Sequence, residues 1–363
     1  MELYKSKLVR IFYNITNRCN LYCHYCYAGS GHPVDQAQLS LDTIERIASD
    51  GRKCGASSVL LSGGEPFFRK DWFDVFSVFD DYGYDLSVSS NGTLINEKTI
   101  QKLTKFKNII FQISLDASEQ NFDKIVGVNG TFKRVTKAID LLLANGYEIQ
   151  VNSVLHKSNF QDIPFLIRYS YERELLLRFT LLSTDYGRAK GSPLSLDLSQ
   201  IQKVIQAVHV SRKVNPYVEL NIPPLLLHPD DLFHISPSCG WMHHQCGIQS
   251  NGDVTICGLS GGRPDLVAGN VKSQSLEYLW NNSPLFRKLR LLEITKIKEI
   301  CGICPFLSVC GGSCRLTPYI STGDFYAPNG VCQMFYEALK RGDIEDFPSY
   351  VINLGFMECL SQN

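Results

Sequence analysis

Thirteen cysteines, eight of them between Cys239 and Cys332, constrain this chain more than any other feature. The N-terminal stretch MELYKSKLVRIFY has no apolar signal-peptide core, which predicts a cytoplasmic protein. Thiols stay reduced in that compartment, so a disulfide framework is not expected. They are metal ligands, redox centres or buried spectators, and their spacing decides which. The 94 residues from Cys239 to Cys332 also hold 12 of the 27 glycines. Apolar burial alone does not hold such a segment together, and bound metal is expected to supply much of its folding free energy.

Lys plus Arg and Asp plus Glu both total 36. This balance argues against nucleic acid as a partner. No run of about 18 uncharged apolar residues is present, so no membrane segment is expected. From residue 9 to about 182, short β-rich runs alternate with helical patterns, the order of an α/β fold. Strands are expected at Val9–Ile15, Ser57–Ser62, Asp85–Ser90, Ile109–Leu115, Tyr147–Val154 and Leu175–Leu182, each apolar on both faces like a buried parallel strand. Helices are expected at Leu41–Lys53, with Ser40 as N-cap, at Thr131–Asn145, stopped by Gly146, and near Ser199–Val214. Right-handed crossovers would curl these units into a partial (β/α)6, TIM-like barrel with its chemistry at the strand C-termini. The expected organisation is a barrel over 5–215, a Pro-rich linker over 216–238, a small Cys-rich, metal-binding domain over 239–340 and a tail over 341–363.

Cys19, Cys23 and Cys26 follow the first strand in CNLYCHYC. Spacings of four and three place three sulfurs on one side of a helix-like turn. Three thiolates suit a 4Fe-4S cluster with one open iron. A structural zinc site completed by His24 or a distant residue is the alternative, although such sites favour CxxC pairs and four protein ligands.

A CxxxCxxC loop after a first strand resembles the radical S-adenosylmethionine (SAM) enzymes. Ser62-Gly63-Gly64-Glu65-Pro66, ending the second strand, is similar to the family's GGEP motif. The resemblance implies that Gly63, Gly64 and Glu65 bind the SAM ammonium, which needs close carbonyls and an anion. It also implies Tyr25 beside adenine, and Ser89, Asn91, Ser114 and Asp116 near the ribose and carboxylate. Where relatives carry an Arg for the carboxylate, this chain has Val126, leaving Lys124 or Arg178 as substitutes.

Cys301-x2-Cys304-x5-Cys310-x3-Cys314, then Cys332, with Cys239 and Cys257 upstream, resembles the SPASM domain, an auxiliary iron–sulfur module. The resemblance implies an outer cluster on Cys301, Cys304, Cys310 and Cys332 and an inner one on Cys239, Cys257 and Cys314. Cys246 is either a fourth inner ligand or a buried spectator thiol. Three 4Fe-4S clusters are therefore expected. Cys54 and Cys359 fit no pattern. His243 and His244 are expected to be polar packing residues.

The resemblance implies an enzyme that cleaves SAM to a 5′-deoxyadenosyl radical and abstracts hydrogen from a ribosomally made peptide, leading to a cross-link, epimerisation, oxidation or fragmentation. A flavodoxin- or ferredoxin-type donor is expected. The barrel begins near residue 9, so a separate leader-recognition protein, or a leader read by the enzyme body, is expected too. A sulfatase-type protein maturase is the alternative, but relatives of that kind carry an acid after the cysteine equivalent to Cys257, and this chain has Gly258. A zinc-stabilised, non-catalytic scaffold is the rival from another class.

Overall fold

The computed structural model describes residues 6–31, 38–234, 239–240 and 243–344. Most of the expected tail, with Cys359, lies outside the described residues. Ten strands occur among them: β1 (Arg10–Thr16), β2 (Ser58–Gly63), β3 (Asp85–Ser90), β4 (Ile109–Ser114), β5 (Glu148–Leu155), β6 (Leu176–Leu181), β7 (Val218–Asn221), β8 (Gln245–Ile248), β9 (Asp253–Thr255) and β10 (Val267–Asn270). The first five α-helices are α1 (Leu41–Lys53), α2 (Trp72–Asp81), α3 (Glu97–Leu103), α4 (Glu119–Val126) and α5 (Thr131–Ala144).

The chain packs as two compact units, 1–152 with 240–292, and 153–239 with 293–363. In the first, β1 to β5 pair in chain order and in parallel. On the free edge of β1, β8 pairs in parallel, with Ile11 opposite Cys246 and Phe12 opposite Gly247. β9 and β10 continue the sheet as antiparallel neighbours. This pairing is why residues 240–292 pack with the N-terminal strands, and the contiguous division expected from composition does not describe the packing.

Local sequence accounts for the elements. Ser40 caps α1 by accepting the Thr43 N–H, while Arg52 and Lys53 sit in its last turn, where they complement the helix dipole. Ile44, Ile47 and Ala48 form its buried stripe. A side chain at Gly51 would strike Ile11 Cδ1 at 2.6 Å, so β1 and α1 approach closely there. Tyr13 packs its ring 6.1 Å from Phe79 of α2.

The other face of the sheet differs from expectation. β4 and β5 alternate buried and partly open residues instead of being apolar on both faces. The open positions carry Gln112, Ser114, Gln150 and Asn152. Across the strands Ser89 lies opposite Gln112, and Gln112 opposite Gln150. Asn14 lies opposite Ser62 in the same way. Side chains alternate along a strand, so these polar residues form rows on the face away from the helix-packed layer.

In the second unit β6 pairs in parallel with β7. Its helices include Ile163–Glu172 and Leu198–Arg212, the latter opened by an Asp197/Gln200 capping box. The stretch expected as a linker contains β7, and Val218, Leu220 and Leu225 to Leu227 are buried. It therefore packs into this unit's core. The short helices Glu299–Gly302 and Leu307–Cys310 then carry Cys301 and Cys310, Cys304 and Cys314 lie in the connections after them, and Asn329 caps the helix Gly330–Arg341, which carries Cys332.

Candidate functional site

In the first unit the site is built at the C-terminal ends of β1, β2 and β3. The Cys19–Cys26 segment is an irregular loop with one turn, not the helix-like turn expected from its spacing. Its backbone is held from outside: the Tyr22 and His24 N–H groups donate to the Val126 and Ile125 carbonyls at 3.0 and 3.1 Å. Those are carbonyls that the end of α4 leaves free. Gly127 then stops α4 with a φ of 75°, and a side chain there would press on the Tyr22 carbonyl at 3.3 Å.

The Cys19 thiol is buried and receives the Leu21 N–H at 3.4 Å and Asn91 Nδ2 at 3.7 Å. Burial, and next the nearby charge of Glu65, push its pKa up to about 12. The metal-free thiol is thus protonated at neutral pH, and metal binding must release that proton. Cys23 and Cys26 are half-buried in the same loop.

Gly63 and Gly64 are required for a reason the sequence did not disclose. Added Cβ atoms would lie 2.1 Å from the Thr16 carbonyl oxygen and 2.2 Å from that of Arg18. Gly64 and Glu65 donate their N–H groups to the same two carbonyls at 2.8 and 2.9 Å. The glycines thereby dock the β2 loop onto the segment leading to Cys19. Glu65 is fully buried. Its Oε1 accepts from the Phe67 N–H at 3.1 Å and Ser90 Oγ at 2.8 Å, and Oε2 accepts from the Asn91 N–H at 2.7 Å. Of a carboxylate's roughly four acceptor positions, one on Oε2 is left for a cation. Burial outweighs these hydrogen bonds and pushes the Glu65 pKa up to about 7.

Tyr25 donates its hydroxyl to Asp116, itself buried. Burial and the Asp116 charge raise the phenol far above its ordinary range, so it remains a donor. Asn91 faces Cys19 and Asn20, and its Oδ1 accepts from the Thr93 N–H at 3.0 Å. Ser89 and Ser114 are half-buried at the ends of β3 and β4. Val126 is buried. Of its proposed substitutes, Lys124 is exposed, and Arg178 is taken up by a two-nitrogen pair with Glu219 at 2.7 Å.

A cavity of about 710 Å³ opens beside this loop, lined by Asn14, Tyr27, Ala28, Gln249 and the Gly258–Arg263 segment among others. Asn14 Nδ2 donates to Gln249 Oε1 and to the Gly258 carbonyl, both at 2.9 Å. Sequence reasoning passed over Asn14 and Gln249, although a polar residue interrupting an apolar strand was the available signal. Cys257 is buried. Its electrostatic influence, like that of Cys26, reaches the Tyr27 hydroxyl. Cys246 is placed elsewhere. A Cβ on its neighbour Gly247 would lie 2.2 Å from the Cys257 backbone, and successive strand residues face opposite ways. The Cys246 thiol therefore points away from Cys257 and is fully buried, with Cys54 and Arg290 as its electrostatic neighbours. This placement does not suit the expected fourth inner ligand.

In the second unit one pocket is lined by Cys301, Cys304, Cys310 and Cys332 together with Phe306, Leu307 and Leu225. Each of Cys304, Cys310 and Cys332 feels the charge of Cys301, and burial is the first cause raising all four thiols. The Asn329 N–H donates to Cys301 Sγ at 3.4 Å. Cys314 lies nearby in sequence, its sulfur accepting from Thr317 Oγ1 at 3.6 Å, and Cys239 is exposed. The four thiols of Cys301, Cys304, Cys310 and Cys332 thus line one pocket, a donor set able to hold a metal ion or cluster. His243 and His244 remain without a ligand arrangement, their rings 6.4 Å apart.

Residues 13–169 match the family described as the radical SAM superfamily, and residues 239–305 match the SPASM family, an iron–sulfur cluster-binding domain. An AdoMet-dependent heme synthase of Methanosarcina barkeri is 26% identical over 339 residues, covering 89% of this chain and 95% of that protein. A PqqA peptide cyclase of Methylocella silvestris is 26% identical over 334 residues, covering 90% and 87%. Among solved structures, Streptococcus suis SuiB bound to S-adenosylmethionine has a TM-score of 0.72 at 20% identity, covering 90% of this chain and 78% of that one. AdoMet-bound anSMEcpe has a TM-score of 0.72 at 20% identity, covering 92% and 97%. At these identities the structural likeness speaks for the fold.

Proposed function

We propose that this chain, which carries a radical SAM domain and a SPASM iron–sulfur domain, is a maturase acting on a ribosomally made peptide. The observation that carries the reading is the polar cavity beside the Cys19–Cys26 loop, with its amide side chains Asn14, Asn17, Gln249 and Asn251. Amides both donate and accept, which matches a peptide backbone.

Cys19, Cys23 and Cys26 would hold the first cluster, and Gly63, Gly64, Glu65, Tyr25, Ser89, Asn91, Ser114 and Asp116 would surround SAM. When bound, this pair supplies one-electron hydrogen abstraction from an unactivated carbon, a reaction beyond any ordinary side chain. The chain's own residues do the rest. Asn91 donates toward the Cys19 sulfur and so orients it. Glu65 offers the buried anion. Tyr25 and Asp116 form a fixed polar pair at the end of β4. The cavity wall positions the peptide and keeps competing water away. Cys301, Cys304, Cys310 and Cys332 would hold the outer auxiliary cluster, and Cys239, Cys257 and Cys314 the inner one. A flavodoxin- or ferredoxin-type electron donor and a separate leader-recognition protein belong to this reading.

The test is anaerobic reconstitution with SAM, dithionite and candidate ribosomal precursor peptides. The wild type should be brown, form 5′-deoxyadenosine and change the peptide's mass. Continued 5′-deoxyadenosine formation by a Cys19/Cys23/Cys26→Ala triple variant would falsify the assignment, and a colourless zinc protein would favour the scaffold.

A further inference from the structure

The sequence around the outer cysteines reads C-G-G-S-C-R, and the backbone there is unusual. Gly311, Gly312 and Ser313 all have positive φ, at 59°, 76° and 58°. For Ser313 this conformation is strained, since an L side chain crowds the following carbonyl. The tight turn folds the chain so that Arg315 comes back against Gly312, where any Cβ would lie 2.9 Å from the Arg315 guanidinium carbon. Gly312 thus makes room for the guanidinium.

Arg315 is 3% exposed. Its Nη1 donates to the carbonyls of Phe325 at 3.2 Å and Ala327 at 2.7 Å, and its Nη2 donates to that of Gly312. These three carbonyls hold the plane of the fork, and none of them carries a countercharge. Its Nε is buried with no hydrogen-bond partner. An orphaned donor on a buried cation is costly and calls for an acceptor. Gly312, against which the guanidinium packs and whose carbonyl accepts from Nη2, lines the outer pocket together with Cys301, Cys304, Cys310 and Cys332.

We propose that Arg315 is a positioning residue for the outer auxiliary cluster: its buried Nε–H and fixed charge stabilise the reduced form of the group held by Cys301, Cys304, Cys310 and Cys332. Four thiolates around a 4Fe-4S core leave a net negative charge, and accepting one electron makes it more negative. A cation fixed beside it favours the reduced state and raises the reduction potential, and hydrogen bonds to the sulfurs act in the same direction. The role rests on the proposed function only in that these cysteines hold a cluster.

The experiment is a dithionite titration of the reconstituted full chain followed by electron paramagnetic resonance, the outer cluster being the signal lost in Cys304→Ala. Arg315→Met removes both charge and donor, and Arg315→Lys keeps only the charge. At the wild-type midpoint, Arg315→Met with full iron should show at least a tenfold lower ratio of reduced to oxidised cluster, a 59 mV negative shift for one electron. Arg315→Lys should shift the midpoint in the same direction by less. An unchanged midpoint in fully loaded Arg315→Met overturns the role. If Arg315→Met loses iron, Arg315→Lys decides: full iron with a more negative midpoint supports the role, and a wild-type midpoint overturns it. Loss of iron in both variants makes Arg315 a scaffold for the turn and also overturns it. A wild type that binds no iron fails the functional reading itself, which is a separate outcome.

Discussion

Glu65 accepts the backbone N–H of Asn91 at 2.7 Å, which ties the loop after β2 to the loop after β3 through a fully buried carboxylate. The same group holds the Phe67 N–H and Ser90 Oγ. Glu65→Gln therefore does more than remove a charge. An amide nitrogen must take the place of one oxygen and face a donor, leaving at least one buried group unsatisfied. We expect the variant to lose about 1–3 kcal/mol of stability, together with SAM affinity. Thermal unfolding of the ligand-free protein separates the first effect, and calorimetry with SAM measures the second. Unchanged values in both would remove Glu65 from the site.

The pH dependence follows from the same residue. Its pKa is about 7 in the folded chain against an ordinary value of 4.5. A carboxyl raised in this way stabilises the fold fully below its unfolded pKa, and that contribution is lost as pH rises through the folded value. The ligand-free protein should lose about 3 kcal/mol from this group between roughly pH 4 and pH 8. A cationic ammonium needs the ionised form, so SAM affinity should rise with pH and level off above about 7. Titrations in two buffers of different ionisation enthalpy at pH 6 should show proton release on SAM binding. Glu65→Gln should abolish it.

The strand runs and the capped α1 were legible because each is local, an apolar run and a capping serine; the grouping of Cys332 with Cys301, Cys304 and Cys310 followed only from the family resemblance. The polar row Ser89, Gln112 and Gln150 was legible in principle, since each interrupts an apolar strand, but only pairing in register gives three isolated polar residues one meaning. The reason for Gly63 and Gly64 was not legible. It depends on the carbonyls of Thr16 and Arg18, more than forty residues away in the chain. The placement of residues 240–292 was hidden in the same way, because any parallel strand with the right alternation could have covered the edge of β1, and the Gly- and Cys-rich composition suggested a separate domain.

Cys246 shows the consequence of that hidden pairing. Opposite Ile11 on β8, its thiol belongs to the buried layer near Cys54, and burial raises it far above the ordinary thiol range. Cys246→Ala should leave iron and sulfide content and the auxiliary-cluster spectra unchanged. It should cost about 1 kcal/mol of stability through the small cavity left behind. An altered auxiliary spectrum, or a loss of iron confined to this variant, would restore Cys246 as an inner ligand.

Gly258 follows Cys257, and its surroundings crowd any side chain placed there. A Cβ at Gly258 would lie 2.1 Å from Phe12 Cδ1 and 2.2 Å from Cε1, well inside van der Waals contact. The Gly258 carbonyl also receives Asn14 Nδ2 at 2.9 Å, so the backbone cannot shift without breaking the Asn14–Gln249 network. Gly258→Ala should destabilise the chain by about 1–3 kcal/mol, as overpacking does. Gly258→Asp should cost more, because it also buries a carboxylate beside Cys257. Phe12→Ala opens the space occupied by the ring. Combined with Gly258→Ala it should recover part of the loss, giving a coupling energy in a double-mutant cycle read by urea unfolding. Strict additivity would mean that Phe12 is not what keeps position 258 a glycine. A Gly258→Asp variant as stable as the wild type would show that the position tolerates an acid.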